Sequence, residues 1–168
     1  MNHNPMTSDK AVSNADMTKV FAQQKSYFRA NSNTDLQTRQ NNLARLKELL
    51  VRYQDQIIDA LSEDYGQRAK YDSLIADITP SLHLIDYNRK NLKKWMKPSR
   101  RGAGLMLQPA KVSVHYQPLG VVGIIVPWNF PITLSIGPLA TALAAGNVAM
   151  MKMSEFTPAT NRVLKKML

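Results

Sequence analysis

Cysteine is absent from this 168-residue sequence, and its absence excludes several kinds of chemistry. The chain can form neither a disulfide nor a thiolate site, and it cannot supply the cysteine ligands of a zinc centre. His83 has no acidic or histidine partner at metal-ligand spacing, so we expect no metal site. A chain without cysteine suits a reducing compartment, and the start MNHNPMTSDK lacks the apolar core of a secretory signal. We therefore expect a cytoplasmic location.

Acidic residues are absent between Asp86 and Glu155, although nine lysine and arginine residues occur between Arg89 and Lys152. The net charge of +10 raises nucleic acid or an anionic membrane as a partner. One interpretation of the basic run is a phosphate-binding patch, and the other is a solvated helix end followed by a loop. Nothing in the sequence resembles a nucleic-acid-binding module, so we expect no nucleic-acid partner.

A long hydrophobic run without interruption is also missing. Residues 119–151 carry no charge and follow a basic segment, which superficially meets the length and flank criteria for a transmembrane helix. Pro127, Pro131 and Pro138 interrupt this stretch, together with several glycines and two asparagines. We therefore expect no membrane insertion.

The stretch 119–155 instead alternates strand and helix signals. An apolar run predicts a fully buried strand that stops at a proline, and an apolar helix follows a tight turn and ends at Gly146-Asn147. The predicted elements are a strand over 121–126, a turn over 128–131, a helix over 132–145, a strand over 148–152 and a helix from 157. This order is typical of a parallel α/β unit.

The residues before this unit predict mainly helices. Amphipathic patterns indicate a helix ending near Ala30, a long helix over 34–64 and a third helical region over 71–96. Thr34 and Gln37 have the spacing of a capping box. Pro80 predicts a kink, with Thr79 capping the second half of the third region. Trp95 is expected as a core anchor of that region.

Two strands over 105–108 and 111–117 are predicted next, around Pro109-Ala110. The alternation of Val112, Val114 and Tyr116 with polar residues indicates one buried face. The chain thus divides into a disordered tail (1–13), a helical part (14–104), a β-hairpin (105–118) and the start of an α/β domain (119–168).

Three polar residues follow the two predicted parallel strands. Ligands of open α/β sheets bind at the carboxyl ends of the strands, where Asn129, Lys152 and Glu155 would lie. The asparagine amide could stabilise a developing oxyanion, and the Lys–Glu pair could bind sugar hydroxyls. Alternatively, Asn129 satisfies the backbone of its turn, and the pair is a solvated ion pair. The pattern alone leaves both interpretations open.

Several motifs resemble the aldehyde dehydrogenase superfamily. They are Pro127-Trp128-Asn129-Phe130-Pro131, Gly137-Pro138 through Gly146-Asn147, Lys152-x-Ser154-Glu155, Gln117-Pro118-Leu119-Gly120 and the segment 92–98. The segment Lys152-Met153-Ser154-Glu155 departs from the commoner Lys-Pro-Ser-Glu. Together with residues 156–161 it is most similar to the coniferyl-aldehyde dehydrogenase branch. The resemblance covers residues 25–168.

The resemblance implies an α/β fold: N-terminal helices, a β-hairpin and the first β-α-β-α unit of a Rossmann-like cofactor-binding domain. Asn129 matches the oxyanion-hole amide of this family. Ile125, Val126, Pro127 and Trp128 match the loop that contacts the nicotinamide cofactor through its backbone. Lys152 and Glu155 match the residues that bind the adenosine ribose, which favours NAD over NADP.

The resemblance also implies an aldehyde substrate and a homodimer bridged by the hairpin. The family's catalytic cysteine and glutamate have no counterpart in these residues, so the chain corresponds to the amino-terminal third of such an enzyme. The alternative function is that of a non-catalytic remnant or interaction fragment. The helix over 132–145 is apolar nearly all round, and we expect much of its cover to come from strands after Leu168.

Overall fold

The computed structural model describes residues 13–32 and 34–168. Helices dominate the first part, and two pairs of strands follow. The elements are α1 (Asn14–Ala30), α2 (Leu36–Arg52), α3 (Gln54–Asp64), α4 (Lys70–Ser73), a π-helical turn (Leu74–Ile78), α5 (Thr79–Trp95), β1 (Ser99–Arg101), a 3-10 turn (Leu105–Leu107), β2 (Val112–Val114), β3 (Val121–Ile125), α6 (Thr133–Ala144), β4 (Val148–Lys152) and α7 (Pro158–Met167).

The first two helices begin with side-chain caps. Ser13 forms a capping box with Asp16 at the start of α1, and the rest of the predicted disordered tail lies outside the described residues. The capping box predicted at Thr34 is wrong, because Asp35 caps α2 and accepts a 2.8 Å hydrogen bond from the Thr38 backbone N–H. A carboxylate is favoured there by the positive end of the helix. The hydrogen bond from the Thr38 backbone lowers the pKa of Asp35.

The predicted long helix over 34–64 is divided. It breaks at Tyr53, so that α2 and α3 each bury their own apolar stripe. Neither proline nor glycine marks the break, which is why the sequence pattern did not show it. The core positions on these helices are Leu43, Leu46, Leu50, Ile57, Ile58 and Leu61.

The interruption expected near Pro80 is present as the π-helical turn before α5. Pro80 then lies in the first turn of α5, directly after the π-helical turn, and a π-bulge beside a proline is a usual interruption of a helix. The predicted cap by Thr79 is wrong, since no side chain caps α5 at this point. Trp95 is also not a core anchor: it is 41% exposed and its ring stands 5.7 Å from that of Tyr87.

The strand pairing before residue 118 differs from the prediction. β2 pairs antiparallel with β1, whereas the predicted first strand over 105–108 is largely a 3-10 turn. Val112, Val114 and Tyr116 are exposed, so the predicted buried face is wrong. A two-stranded ribbon cannot cover its own face, and in the described part of the chain β2 is exposed along its length.

β3 and β4 form a parallel pair connected through α6, as the order of elements predicted. β3 is not fully buried: Ile124 is 7% exposed and Val126 2%, whereas Ile125 on the opposite face is 83% exposed. Parallel sheets are normally covered on both faces, and this pair is covered on one.

Helix α6 is buried at most positions, as its composition predicted, with Leu134 partly exposed. Its cover comes from α5, α2, β4 and β3 within this chain, which corrects the expectation that later strands supply much of it. A Cβ added at Gly137 would lie 2.8 Å from Leu84 of α5, so the glycine permits this close packing. Among residues 13–32 and 34–168, no helix has both the length and the hydrophobicity that crossing a membrane requires.

Candidate functional site

The ends of β3 and β4 bring the predicted site segments together. In the parallel register, Ile125 of β3 lies opposite Lys152 of β4. The ladder continues one step further, because the Val126 N–H donates a 2.9 Å hydrogen bond to the Lys152 carbonyl. The loop that carries Asn129 and the loop that carries Glu155 therefore leave the sheet at the same edge, where ligands of α/β sheets bind.

The loop after β3 places its polar and aromatic groups at the surface. Asn129 and Pro127 are exposed, and the side chains of Trp128 and Phe130 are 54% and 41% exposed. Val126 is buried beneath them. Of the residues predicted to contact a cofactor, Ile125, Pro127 and Trp128 are thus accessible, and Val126 is limited to contacts through its backbone.

Residues of α3 and its end hold the two flanks of Asn129. The Tyr65 hydroxyl donates a hydrogen bond to the Trp128 carbonyl. The Arg68 guanidinium stacks between two rings, with its central carbon 5.2 Å from the centre of Tyr65 and 5.7 Å from that of Phe130. Cation–π contacts of this kind contribute about 0.5–1 kcal/mol at exposed sites and more when desolvated. The residues on either side of Asn129 are therefore fixed.

Asp77 fastens the end of the same loop. Its side chain is fully buried, and its Oδ1 atom accepts 3.1 Å hydrogen bonds from the backbone N–H groups of Ile132 and Thr133 at the start of α6. Its Oδ2 atom lies 2.9 Å from Nη1 of Arg68. Burial raises the pKa of Asp77, while the Thr133 N–H and Arg68 act in the opposite direction. The carboxylate thus caps α6 from a different part of the chain.

A pocket of about 460 Å³ opens beside Asn129. Asn129 and Phe130 form its side toward the sheet, and the pocket is otherwise lined by Tyr65, Arg68, Tyr71, Asp72, Ile75 and Ala76. Aromatic rings, two apolar side chains and a few convergent polar groups are typical of a small-molecule site. An amide donor at its wall could contact the oxygen of a bound carbonyl compound.

Lys152 and Glu155 form an exposed pair after β4. Lys152 Nζ lies 2.8 Å from Glu155 Oε2, and both side chains are about two-thirds exposed. The hydrogen bond from Lys152 lowers the pKa of Glu155. An exposed ion pair stabilises a fold very little, so its partners remain free to exchange one another for a ligand. An ammonium donor beside a carboxylate acceptor fits a pair of sugar hydroxyls.

The loop after β4 is held by Asp64 at the end of α3. The two carboxylate oxygens of Asp64 accept hydrogen bonds of 2.9 and 2.8 Å from the backbone N–H groups of Ala159 and Thr160 in the first turn of α7. Within the loop, the Asn161 amide donates a 2.6 Å hydrogen bond to the Ser154 carbonyl. These bonds hold the loop that carries Glu155 at the end where it enters α7.

The sequence reasoning missed Asp64, Tyr65, Arg68 and Asp77. The partners of the two aspartates lie 95 and 55 residues further along the chain, beyond the reach of any periodic pattern. One signal was available, because a buried aspartate inside an apolar helical stripe needs a partner. No cluster of three or more potential metal-ligating side chains occurs in the part of the chain that the structure describes.

Comparisons with known proteins agree on one family. The sequence model of the aldehyde dehydrogenase family matches residues 1–168. A Pseudomonas aeruginosa protein named probable coniferyl aldehyde dehydrogenase is 52% identical over 149 residues, which cover 89% of this chain and 31% of that protein. Coniferyl aldehyde dehydrogenase of a Pseudomonas species (strain HR199) is 42% identical over 134 residues, covering 80% of this chain and 27% of that protein.

A solved structure, the substrate-bound state of Staphylococcus aureus AldH, superposes with a TM-score of 0.87 at 34% identity. The match covers 90% of this chain and 33% of that one. The chain therefore spans about a third of the length of the relatives that it matches.

Proposed function

The chain belongs to the aldehyde dehydrogenase family and has the amino-terminal portion of its fold, and we propose that it supplies the oxyanion and ribose contacts of an NAD(P)-dependent enzyme oxidising an aldehyde to its carboxylic acid. The observation that carries this proposal is the shared edge at which β3 and β4 end. The names of the Pseudomonas relatives favour an aromatic aldehyde of the coniferyl type.

Asn129 is proposed as the oxyanion donor. Asn129 is one of the residues that line the pocket beside β3, and the flanking residues are held by Tyr65 and Arg68. In thiolate addition to an aldehyde, negative charge develops on the carbonyl oxygen, and a fixed N–H donor stabilises it. The thiolate itself has to come from residues outside these 168, because the chain has no cysteine.

Lys152 and Glu155 are proposed as the ribose-binding pair, with the backbone of Ile125, Val126, Pro127 and Trp128 lining the path to the nicotinamide. The pair is exposed and fits two hydroxyl groups, which supports a dinucleotide at this edge. A carboxylate there repels a 2′-phosphate, so we propose NAD in preference to NADP. When bound, NAD accepts the hydride that leaves the aldehyde carbon.

The ribbon of β1 and β2 is proposed as part of a homodimer interface, and the location as cytoplasmic. The exposed valines of β2 support a partner on this ribbon. A second candidate function follows from the missing cysteine. The chain alone would then be a non-catalytic fragment that at most contacts the adenosine half of a dinucleotide.

A chimera tests the proposal directly. This chain would replace the equivalent first third of the Pseudomonas aeruginosa relative, and NADH formation would be followed with coniferyl aldehyde. We expect an active chimera in which Asn129→Ala lowers kcat by about 10²–10³-fold, the usual effect of removing one oxyanion donor. Asn42→Ala, which removes an exposed asparagine on α2, is the matched control and should leave kcat unchanged.

An unchanged kcat in the Asn129 variant would remove this residue from the oxyanion role. The unmodified chain is assayed beside the chimera. Sustained aldehyde-dependent NADH formation by the 168-residue chain alone would contradict the proposed dependence on an outside cysteine.

A further inference from the structure

One short segment contacts both loops that leave the sheet. Asp64 binds the start of α7 after β4, and its neighbour Tyr65 binds the Trp128 carbonyl after β3. Three residues later, Arg68 stacks on Phe130 and pairs with Asp77. Two loops that are separate in sequence therefore depend on the same five-residue segment, 64–68.

The end of α3 gives this segment its shape. Gly66 and Gln67 both have positive φ angles, of 63° and 77°, and the Gln67 N–H donates a 2.8 Å hydrogen bond to the Ser62 carbonyl. This is the Schellman arrangement that ends a helix, with glycine in the left-handed position. A positive φ is uncommon for a residue with a side chain, so Gln67 is held in a conformation that its surroundings must impose.

We propose that the segment 64–68, together with Asp77, is a positioning element that sets the loop carrying Asn129 relative to the loop carrying Lys152 and Glu155. The proposal rests on the proposed function for its consequence in catalysis. Its structural part stands on the hydrogen bonds and ion pair given above.

Contacts of the positioning element with the loop after β3 restrict the position of the Asn129 backbone. Trp128 is held before it, Phe130 directly after it, and the start of α6 is held by Asp77 two residues further on. These contacts position the backbone from which the Asn129 amide projects. Orientation of this kind matters because a misplacement of about 1 Å can lower a rate by about 100-fold.

The cofactor side is fixed through the same segment. Asp64 holds the first turn of α7, and Glu63 beside it pairs with Arg162 of α7 at 3.2 Å. Movement of the end of α3 would therefore shift both loops, whereas loss of one contact would release only one of them. A response of both loops to one change therefore indicates a common positioning element, and a response of one loop indicates two unrelated contacts.

Hydrogen exchange of the 168-residue chain, followed residue by residue by NMR, tests this difference. Gly66→Ala places a side chain at φ 63° with no atom within 4 Å of the new Cβ, so the change strains the backbone without a clash. Gly104→Ala is the matched control, because Gly104 has φ 69° and the same open surroundings. The reporting amides are Ile132 and Thr133 on one side, and Ala159 and Thr160 on the other.

We expect Gly66→Ala to accelerate exchange of all four amides by about 10-fold, since about 1–2 kcal/mol of left-handed strain corresponds to that factor. Gly104→Ala should leave them unchanged, and the buried amides of α2 should exchange equally in both variants. Acceleration on one side only, on neither side, or equally throughout the core would overturn the proposal.

Tyr65→Phe provides a milder variant that keeps the fold, because it removes one hydroxyl group. In the chimera it should lower kcat several-fold and raise the KM for NAD less than Gly66→Ala does, because it releases only the loop after β3. Tyr87→Phe on α5 is the control. Gly66→Ala should lower kcat and raise the KM for NAD together. A purely structural role would lower the melting temperature without either kinetic effect, and that result would overturn the proposal.

The hydrogen-exchange and kinetic experiments distinguish a failure of the positioning element from a failure of the proposed function. An inactive chimera with the four amides responding as expected would contradict the proposed function and leave the positioning element in place. An active chimera with unresponsive amides would contradict the positioning element alone.

Discussion

The two loops that follow β3 and β4 are fastened in the same way but in different surroundings. In each, an aspartate from the helical part accepts two backbone N–H groups at the start of the next helix. Asp77 is fully buried and paired with Arg68, whereas Asp64 is only half-buried. The loop proposed to orient a reacting oxygen is thus anchored in the core. The loop proposed to bind a ribose is anchored near the surface and presents an exposed ion pair.

This difference matches what each loop would have to do. Stabilising a developing charge requires a donor that is already in place, because reorganisation during the reaction would raise the barrier. Binding two sugar hydroxyls requires groups that can leave each other for the ligand, which an exposed pair does at little cost. The same capping device therefore serves both loops, and burial decides how firmly it holds.

Removing the buried anchor should have the largest effect. Asp77→Ala leaves two helix N–H groups and the largely buried Arg68 without their partner, so we expect the free energy of unfolding to fall by about 3–5 kcal/mol. Urea unfolding followed by circular dichroism measures this loss. Asp77→Asn keeps an oxygen acceptor for the two N–H groups and should recover part of it. A loss below 1 kcal/mol would show that burial does not strengthen this anchor.

Removing the half-buried anchor, Asp64, should have a smaller effect. Asp64→Ala deletes a cap on α7 that water can partly replace, and we expect a loss of about 0.5–2 kcal/mol in the same assay. Glu63→Ala, which removes only the exposed pair with Arg162, is the control and should cost no more than about 1 kcal/mol. A loss for Asp64→Ala equal to that for Asp77→Ala would remove the contrast between the two loops.

The carboxylates of the two loops should titrate on opposite sides of their ordinary values. Burial raises the pKa of Asp77 above 3.8, so the proton-dependent part of its contribution to stability is present below that pH and is lost as the pH rises through the raised pKa. The bonds to Ile132, Thr133 and Arg68 remain above that pH. The hydrogen bond from Lys152 lowers the pKa of Glu155 below 4.5. Its small contribution is present above pH 4.5 and is lost as the pH falls through the lowered pKa.

Carbon NMR titration of the two carboxyl groups checks both directions. Lys152→Gln should return the pKa of Glu155 toward its ordinary value and leave that of Asp77 unchanged. Shifts of the same sign at both carboxylates would contradict the distinction between the buried carboxylate of Asp77 and the exposed carboxylate of Glu155.

Local signals predicted most of the α/β unit. Proline and glycine marked where β3, α6 and α7 begin or end, and the apolar composition of α6 predicted its burial. The exposed face of β3 was not predictable, because an apolar run such as Val121-Val122-Gly123-Ile124-Ile125 does not reveal how many faces are covered. The sequence also placed Asn129, Lys152 and Glu155 at the ends of the two strands.

Pairings over long sequence distances were not predictable. β1 is Ser-Arg-Arg, which has no alternating apolar pattern, whereas the apolar residues Leu105–Leu107 suggested a strand and form a 3-10 turn. The roles of Asp64 and Asp77 were not predictable for the same reason. Each is a polar residue in or at the end of a helix, and the helix end that it caps lies far away in the sequence. A capping side chain is close in space to the helix end that it binds, but the two can lie far apart in the sequence.

The central claim is that Asn129, Lys152 and Glu155 face one dinucleotide at one edge of the sheet. Its most direct test is to add NAD at millimolar concentrations to the isotope-labelled chain and to map the shifted backbone amides. We predict shifts at residues 126–130 and 152–155, at the carboxyl ends of the two strands, with Glu155→Lys abolishing those in the second group. Shifts confined to residues 119–121 and 146–148 at the opposite end, or to the basic residues 89–101, or no shift at all, would contradict the account.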